Sequence, residues 1–115
     1  MYKHISPTII QQSMFNNQDM IKEFIALYRT QTPIDFKKIE IAVIEQQFQK
    51  ICDAAHHIKP TMEYIGASHI KDALQEMEML AQENKEFSII QNEFETLKSH
   101  FTELFMELEQ YETSL

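Results

Sequence analysis

Apolar residues recur every three or four positions along most of the chain, which is the spacing that places side chains on one face of an α-helix. The clearest repeat predicts a helix over residues 47–64, with a stripe of Phe48, Ile51, Cys52, Ala55, Ile58, Met62 and Ile65. A second repeat predicts a helix after Gly66, with Ile70, Ala73, Leu74, Met77, Leu80 and Ala81. The longest repeat predicts a C-terminal helix with Phe87, Ile90, Phe94, Leu97, Phe101, Leu104, Leu108 and Tyr111.

Two further helices are predicted in the first 44 residues. Ser6 followed by Pro7 is typical of a helix start, because proline in the first turn loses no hydrogen bond. A short helix is therefore predicted over residues 7–13. Asn17 is expected to cap a second helix that extends to about residue 44. Its apolar side is expected to contain Met20, Phe24, Leu27, Tyr28, Ile34, Phe36, Ile39 and Val43.

Two positions are expected to interrupt or begin a helix. Pro33 cannot donate a backbone hydrogen bond and disfavours helical geometry at the residue before it. A kink or a restart is therefore expected near residues 32–33. Ser68 follows the glycine that ends the helix over residues 47–64, and it is expected to cap the next helix.

Four long amphipathic helices with short connections predict an all-α fold, an antiparallel up-down four-helix bundle with a short extra N-terminal helix. A chain of 115 residues has room for one hydrophobic core, so residues 1–115 are expected to form a single domain. The C-terminal repeat also fits a coiled coil with a partner. It covers fewer than four heptads, however, and the other three helices need a surface to pack on, which favours a place in the core.

The composition excludes several functional classes. Phosphate-binding loops need several glycines, and the chain has one. The net charge of −8 disfavours nucleic-acid binding. No apolar run is long enough to span a membrane and no signal peptide is visible, so a cytoplasmic protein is expected. The single cysteine, Cys52, cannot form an internal disulfide and is expected to be a buried, inert thiol. A monomer is expected, because one bundle consumes the apolar stripes.

The negative charge is unevenly distributed. Residues 1–66 contain seven basic and seven acidic side chains, whereas residues 67–115 contain three basic and eleven acidic ones. The stretch over residues 46–71 has three lysines, one aspartate and one glutamate, a net charge of +1. An acidic or phosphorylated partner would therefore meet no net negative charge there.

The most informative stretch begins at Ala55 and ends at Ala67. It resembles the signature of histidine-phosphotransfer (HPt) domains, which carry phosphoryl groups between receiver domains in two-component phosphorelays. The family often has an aromatic residue eight positions before the histidine, where this chain has Phe48, and its fold is a four-helix bundle of this length. The matching positions are Ala55, His56, Ile58, Lys59, Thr61, Gly66 and Ala67.

The resemblance implies that His56 is the phosphoacceptor. It would take the phosphoryl group from the aspartate of a receiver domain, or from a histidine kinase, and pass it to another receiver domain. Lys59 would be the charge partner of the phosphoryl group or the receiver. The implied partners are response-regulator receiver domains and a sensor or hybrid histidine kinase. The implied docking surface consists of His57, Pro60, Glu63, Tyr64 and Gly66.

The same resemblance implies a phosphocarrier that is not an enzyme and holds no cofactor, because the receiver supplies Mg²⁺. Helix geometry agrees with an accessible His56, since it puts this residue about 120° from the centre of the apolar stripe. Lys59 follows one turn later on the same side. An alternative is an HPt-like adaptor that binds receiver domains or a partner helix without being phosphorylated.

The chain departs from the family pattern at Pro60, where glycine is usual. The proline is expected to distort the helix locally or to end it. Glu63, two turns after His56, is expected to be a solvated side chain; the alternatives are that it orients the imidazole or repels phosphate. Tyr64 is expected either to border the docking surface or to cap the core. His57 is a rival phosphoacceptor, and the register of the motif favours His56.

A metal site is not expected. Adjacent histidines point in different directions on a helix, whereas ligand pairs need a spacing of three or four residues. The remaining histidines have no partner pattern and are expected to be solvated; they are His4, His69 and His100.

Overall fold

The computed structural model describes residues 2–115, and it contains five α-helices and no strand within that range. The all-α helical bundle expected from the sequence is confirmed. None of these helices is both long and apolar enough to span a membrane. The helices are α1 (Pro7–Ser13), α2 (Gln18–Ile44), α3 (Phe48–Tyr64), α4 (Ser68–Gln82) and α5 (Phe87–Ser114).

The four long helices form a closed ring around one core. α2 packs on α3, α3 on α4, α4 on α5, and α5 returns to α2. Short connections make neighbouring helices antiparallel, and the molecule measures 44 × 21 × 21 Å. Aromatic side chains fill the space between α2 and α5, where the Phe36 ring stacks on Phe101 at 4.6 Å and on Phe94 at 5.5 Å between centroids. The apolar stripes predicted for α3, α4 and α5 face this core.

The predicted caps hold for the first two helices and not for α4. The Ser6 hydroxyl accepts the Ile9 N–H at 3.3 Å, and the Asn17 side chain accepts the Met20 N–H at 3.0 Å. Ser68 is itself the first residue of α4, so the expectation that it caps this helix is wrong. Ala67 precedes α4, and its N–H donates to the Met62 carbonyl at 2.9 Å. The tight end of α3 therefore sets where α4 begins.

α2 differs from its prediction in two respects. The helix continues through Pro33, so the expected restart does not occur. Its buried face contains Ile21 and Ile25, whereas Phe24, Leu27 and Ile34, expected in the core, are exposed. Apolar residues occur on more than one side of this helix, so the three-four spacing can be traced along either side. Packing against both α3 and α5 decides which side is buried.

Three expected surface histidines form a cluster at one end of the bundle. His4 is only 3% exposed, so the expectation that it is solvated is wrong, whereas His69 is exposed as expected and His100 is half-buried. The ring centroid of His4 lies 4.7 Å from that of His69 and 5.5 Å from that of His100. The cluster joins the N-terminal segment to α4 and α5.

Gly66 allows the N-terminal segment to pack against the end of α3. It has a φ of +75°, and an added Cβ would lie 2.7 Å from the Ser6 Cβ and 3.1 Å from the Ile9 Cβ. The Ser6 N–H donates to the Ile65 carbonyl at 2.9 Å beside it. Both the left-handed backbone and the close approach require glycine here.

Gly66→Ala is expected to lower the free energy of unfolding by about 2–4 kcal/mol, because left-handed geometry and overpacking each have a cost. Asn84→Ala is the matched control, since Asn84 also has a positive φ (51°) but is exposed. The control is expected to lose about 1 kcal/mol or less. Urea unfolding of the two variants measures both values. Equal losses would show that contact with Ser6 and Ile9 adds nothing.

Candidate functional site

His56 lies on the exposed side of α3, with its side chain 72% accessible. Ala55 and Ile58, which flank it in the motif, are buried in the core and fix the rotation of the helix. Its imidazole Nδ1 lies 3.2 Å from Glu78 Oε1 of α4. The other ring nitrogen, Nε2, has no such protein contact within residues 2–115. One nitrogen of the imidazole is thus held by a carboxylate while the ring stays open to solvent.

Lys59 approaches the same carboxylate from one turn further along α3. Its Nζ lies 2.6 Å from Glu78 Oε2 and donates to Gln75 Oε1 at 2.5 Å. The side chains of Lys59 and Glu78 are only 14% and 10% exposed. The buried Glu78 carboxylate has His56 Nδ1 within hydrogen-bond distance of Oε1, and the Lys59 ammonium compensates its charge at Oε2. Lys59 is therefore part of a fixed network between α3 and α4.

Glu78 and Gln75 are site residues that sequence reasoning missed. Glu78 follows Met77 on the buried face of α4 and lies one turn from Leu74. The only signal in the sequence is a carboxylate inside an apolar stripe, which needs a partner when buried. The identity of that partner depends on the register of α4 against α3, and the sequence does not reveal this register.

His57 lies about 100° further around α3 than His56, on the side of the exposed surface that borders α2. Its Nε2 lies 3.8 Å from Asp35 Oδ2 of α2, which is beyond hydrogen-bond distance. It borders a groove between α2 and α3 that Lys38 and Ala54 also line. Asp35 is buried and accepts a hydrogen bond from Gln31 at 3.0 Å. The two adjacent histidines therefore occupy separate surroundings.

The remaining predicted site residues follow His56 along α3. Pro60 is exposed one turn later, and α3 continues past it to Tyr64, so the proline does not end the helix. Glu63 is exposed and pairs with Lys71 of α4 at 3.3 Å, not with the imidazole.

The last two predicted site residues lie further from the imidazole. Tyr64 is exposed and borders a second groove together with Phe24 and Tyr28 of α2. Burial raises the pKa of Tyr28, and the neighbouring Tyr64 adds to this. Gly66 is covered by Ser6 and Ile9, which explains the glycine by packing.

No group of three or more His, Cys, Asp or Glu side chains within residues 2–115 is arranged to hold a metal ion. Cys52 is buried with its thiol free, as expected. The candidate site brings together one exposed imidazole, whose Nδ1 faces a carboxylate, and the lysine that shares this carboxylate.

The family model for the Hpt domain matches residues 23–111. The match covers the bundle from early in α2 to near the end of α5 and leaves out α1 and the segment before it. No curated protein and no solved structure matches the chain significantly.

The Lys59–Glu78 pair is expected to show a coupling energy of about 1 kcal/mol or more in a double-mutant cycle of Lys59→Met and Glu78→Gln, because both groups are largely buried. The exposed Lys71–Glu63 pair also joins α3 to α4 and is the matched control. Its coupling in the cycle of Lys71→Met and Glu63→Gln is expected to be below about 0.5 kcal/mol. Urea unfolding provides both values. Equal couplings would contradict the network described for Glu78.

Proposed function

The chain belongs to the Hpt domain family, and from this premise we propose that it is a phosphorelay intermediate that carries the phosphoryl group on His56. Membership of the family gives it a general role in histidine phosphotransfer in two-component signalling. Hpt domains are phosphocarrier modules that interact with histidine kinases and receiver domains, and they are not enzymes. The proposal concerns which residue is phosphorylated, what holds it in place and which surface meets the partner.

The contact between His56 Nδ1 and Glu78 is the observation that supports this choice. A carboxylate beside Nδ1 favours the tautomer in which Nδ1 carries the proton and donates it to Glu78. The lone pair then lies on Nε2, the nitrogen without a protein contact in the described chain. His57 has no carboxylate within hydrogen-bond distance. His56 is therefore the better-prepared nucleophile of the two.

The transfer begins with attack of His56 Nε2 on the phosphorus of an aspartyl phosphate in a receiver domain. The N–P bond forms, the P–O bond to the aspartate breaks, and the carboxylate leaves with the electron pair. The imidazole becomes positively charged while Nδ1 keeps its proton, and the adjacent Glu78 carboxylate stabilises this charge. Transfer to the next receiver reverses these steps with a second aspartate as the nucleophile. The receiver would hold Mg²⁺, which would supply positive charge to the phosphoryl oxygens there.

Lys59 has two roles in this proposal. Its Nζ, held between Glu78 and Gln75, lies on the same side of α3 as His56 and contributes positive charge near the phosphoryl group. It also neutralises Glu78, so that this carboxylate does not repel an incoming phosphoryl group as a full negative charge would. One lysine thus supports both the nucleophile and its substrate.

The proposed docking surface runs along the exposed side of α3 and consists of His57, Pro60, Glu63 and Tyr64. Exposure of these four side chains supports their place in the surface. Gly66, which lies under Ser6 and Ile9, is assigned to packing. The near-neutral charge of residues 46–71 suits the acidic pocket of a receiver, whereas the excess negative charge of α4 and α5 disfavours docking elsewhere. A cytoplasmic monomer fits this role.

Mixing the purified protein with a phosphorylated receiver, or with a phosphorylated histidine kinase, tests the proposal. Mass spectrometry is expected to find one acid-labile, alkali-stable phosphoryl group on the peptide that contains His56. His56→Gln is expected to remove it, and His57→Gln is expected to retain most of it. These two variants are matched, because they exchange neighbouring exposed imidazoles for the same amide.

Three other outcomes would contradict the proposal. Loss of labelling in His57→Gln alone would move the phosphoacceptor to His57. Receiver binding without any labelling would support the adaptor function. Stoichiometric metal in the purified protein, with loss of stability on chelation, would indicate a metal-binding bundle.

A further inference from the structure

Backbone contacts hold the first residues of the chain against the bundle. Residues 2–6, here called the N-terminal strap, precede α1. The Glu107 carboxylate of α5 accepts the backbone N–H groups of Lys3 at 3.0 Å, His4 at 2.9 Å and Ile5 at 3.0 Å. At the other end of the strap, the Ser6 N–H donates to the Ile65 carbonyl at 2.9 Å. The strap therefore connects α5 to the end of α3, the helix that carries His56.

The imidazole of His4 occupies the middle of this connection. Its Nε2 lies 3.1 Å from Glu103 Oε1, and its Nδ1 lies 2.7 Å from His69 Nε2. At 2.7 Å the two facing nitrogens share a single proton, so one of them must be an acceptor. A charged His4 donates from Nε2 to Glu103 and from Nδ1 to the Nε2 of a neutral His69, whereas a neutral His4 accepts at Nδ1 the proton that His69 carries. The contact exists only while one of the two imidazoles is neutral.

The charged and titratable groups around His69 come from three elements. The strap contributes Lys3 and His4, α5 contributes His100, Glu103 and Glu107, and His69 itself belongs to α4. Lys3 and His4 both contact Glu103, and Glu107 accepts three backbone N–H groups. Glu107 still favours a charge on His69, but desolvation together with the effects of His4, His100 and Lys3 outweighs it.

We propose that the contact between His4 and His69 is an acid-sensitive latch that releases the N-terminal strap when each of the two imidazoles is protonated on both nitrogens. Two N–H groups then face each other, so the hydrogen bond is lost and like charges repel. Release of His4 loosens the strap and the hydrogen bond from Ser6 to Ile65. This inference does not depend on phosphotransfer, and the strap lies outside the residues that match the family model.

The direction of the pH dependence follows from His69. Burial, and then the charges of His4 and His100, lower its pKa from the ordinary value of 6.5 while the strap is latched. The released state binds the proton more tightly. The stability of the latch is therefore complete above about pH 6.5 and is lost as the pH falls through the lowered pKa. Hydrogen bonds from His4 and Lys3 lower the pKa of Glu103 from its ordinary value of 4.5, so this carboxylate gains a proton only in a more acidic range.

Hydrogen exchange at single amides, followed by NMR between pH 7.5 and 5.5, tests the latch. The readout is the protection factor of the Ser6 amide relative to that of Leu104 in the core of α5, a ratio that removes pH-dependent changes in the stability of the whole bundle. This ratio is expected to be constant above about pH 6.5 and to fall below it, by at most about tenfold per pH unit because release takes up one proton.

Two variants identify the group responsible. The Gln side chain in His69→Gln cannot gain a charge, and it offers an N–H to a neutral His4 and a carbonyl oxygen to a charged His4, so the ratio is expected to be independent of pH. His57→Gln removes an exposed histidine outside the cluster and is expected to retain the wild-type pH dependence. A constant ratio in the wild type, or the same fall in His69→Gln, would overturn the proposal.

If the strap is open at every pH in His69→Gln, this variant cannot identify the titrating group, and the wild-type protein has to be measured instead. NMR titration of the ring nitrogens of His4 and His69 then provides the second measurement. The latch is supported if His4 and His69 both become charged at the same pH at which the Ser6 amide loses its protection. Loss of protection at a pH where the pair keeps its single shared proton contradicts it.

Discussion

The Glu78 carboxylate is the interaction on which the site depends. It lies on the buried face of α4 and meets His56 through one oxygen and Lys59 through the other. Taking a carboxylate out of water has a large cost unless charges and hydrogen bonds replace the solvent. The two residues of α3 provide this replacement, and in doing so they fix the orientation of α3 against α4. The contact that compensates the buried Glu78 carboxylate also leaves Nε2 of His56 open to solvent.

Much of the Hpt signature is explained by packing. Ala55, Ile58 and Ala67 are buried, and Gly66 permits the close approach of Ser6 and Ile9. These positions set the rotation of α3 and the geometry of its end. The proposed function assigns the chemistry to His56 and Lys59, together with a carboxylate from α4 that lies outside the signature.

The bundle could be predicted from the sequence because α3, α4 and α5 have a single apolar stripe each. α2 could not be assigned a face, since Phe24 and Leu27 compete with Ile21 and Ile25 for the core and only packing against two neighbours decides. Within the candidate site, His56 and Lys59 could be singled out because the stretch from Ala55 to Ala67 resembles the HPt signature, whose residues are close together in the chain.

Glu78 and the contact between His4 and His69 could not be found in the same way. Each joins residues far apart in the chain, so it depends on helix register and on the path of the N-terminal strap. Pro33 and Pro60 do not end their helices. Buried residues before and after each proline pack into the core and keep α2 and α3 continuous. Tertiary packing thus overrides local preference at the prolines and creates the partners of the buried polar groups.

The most direct test of the role of Glu78 is to determine which nitrogen of His56 carries the proton. Long-range ¹H–¹⁵N NMR on protein labelled at histidine measures this tautomer at a pH at which the imidazoles are neutral. His56 is expected to carry its proton on Nδ1 and to leave Nε2 unprotonated. Glu78→Ala is expected to abolish this preference, and His57 serves as the reference within the molecule. A proton on Nε2 of His56, or a tautomer that Glu78→Ala leaves unchanged, would contradict it.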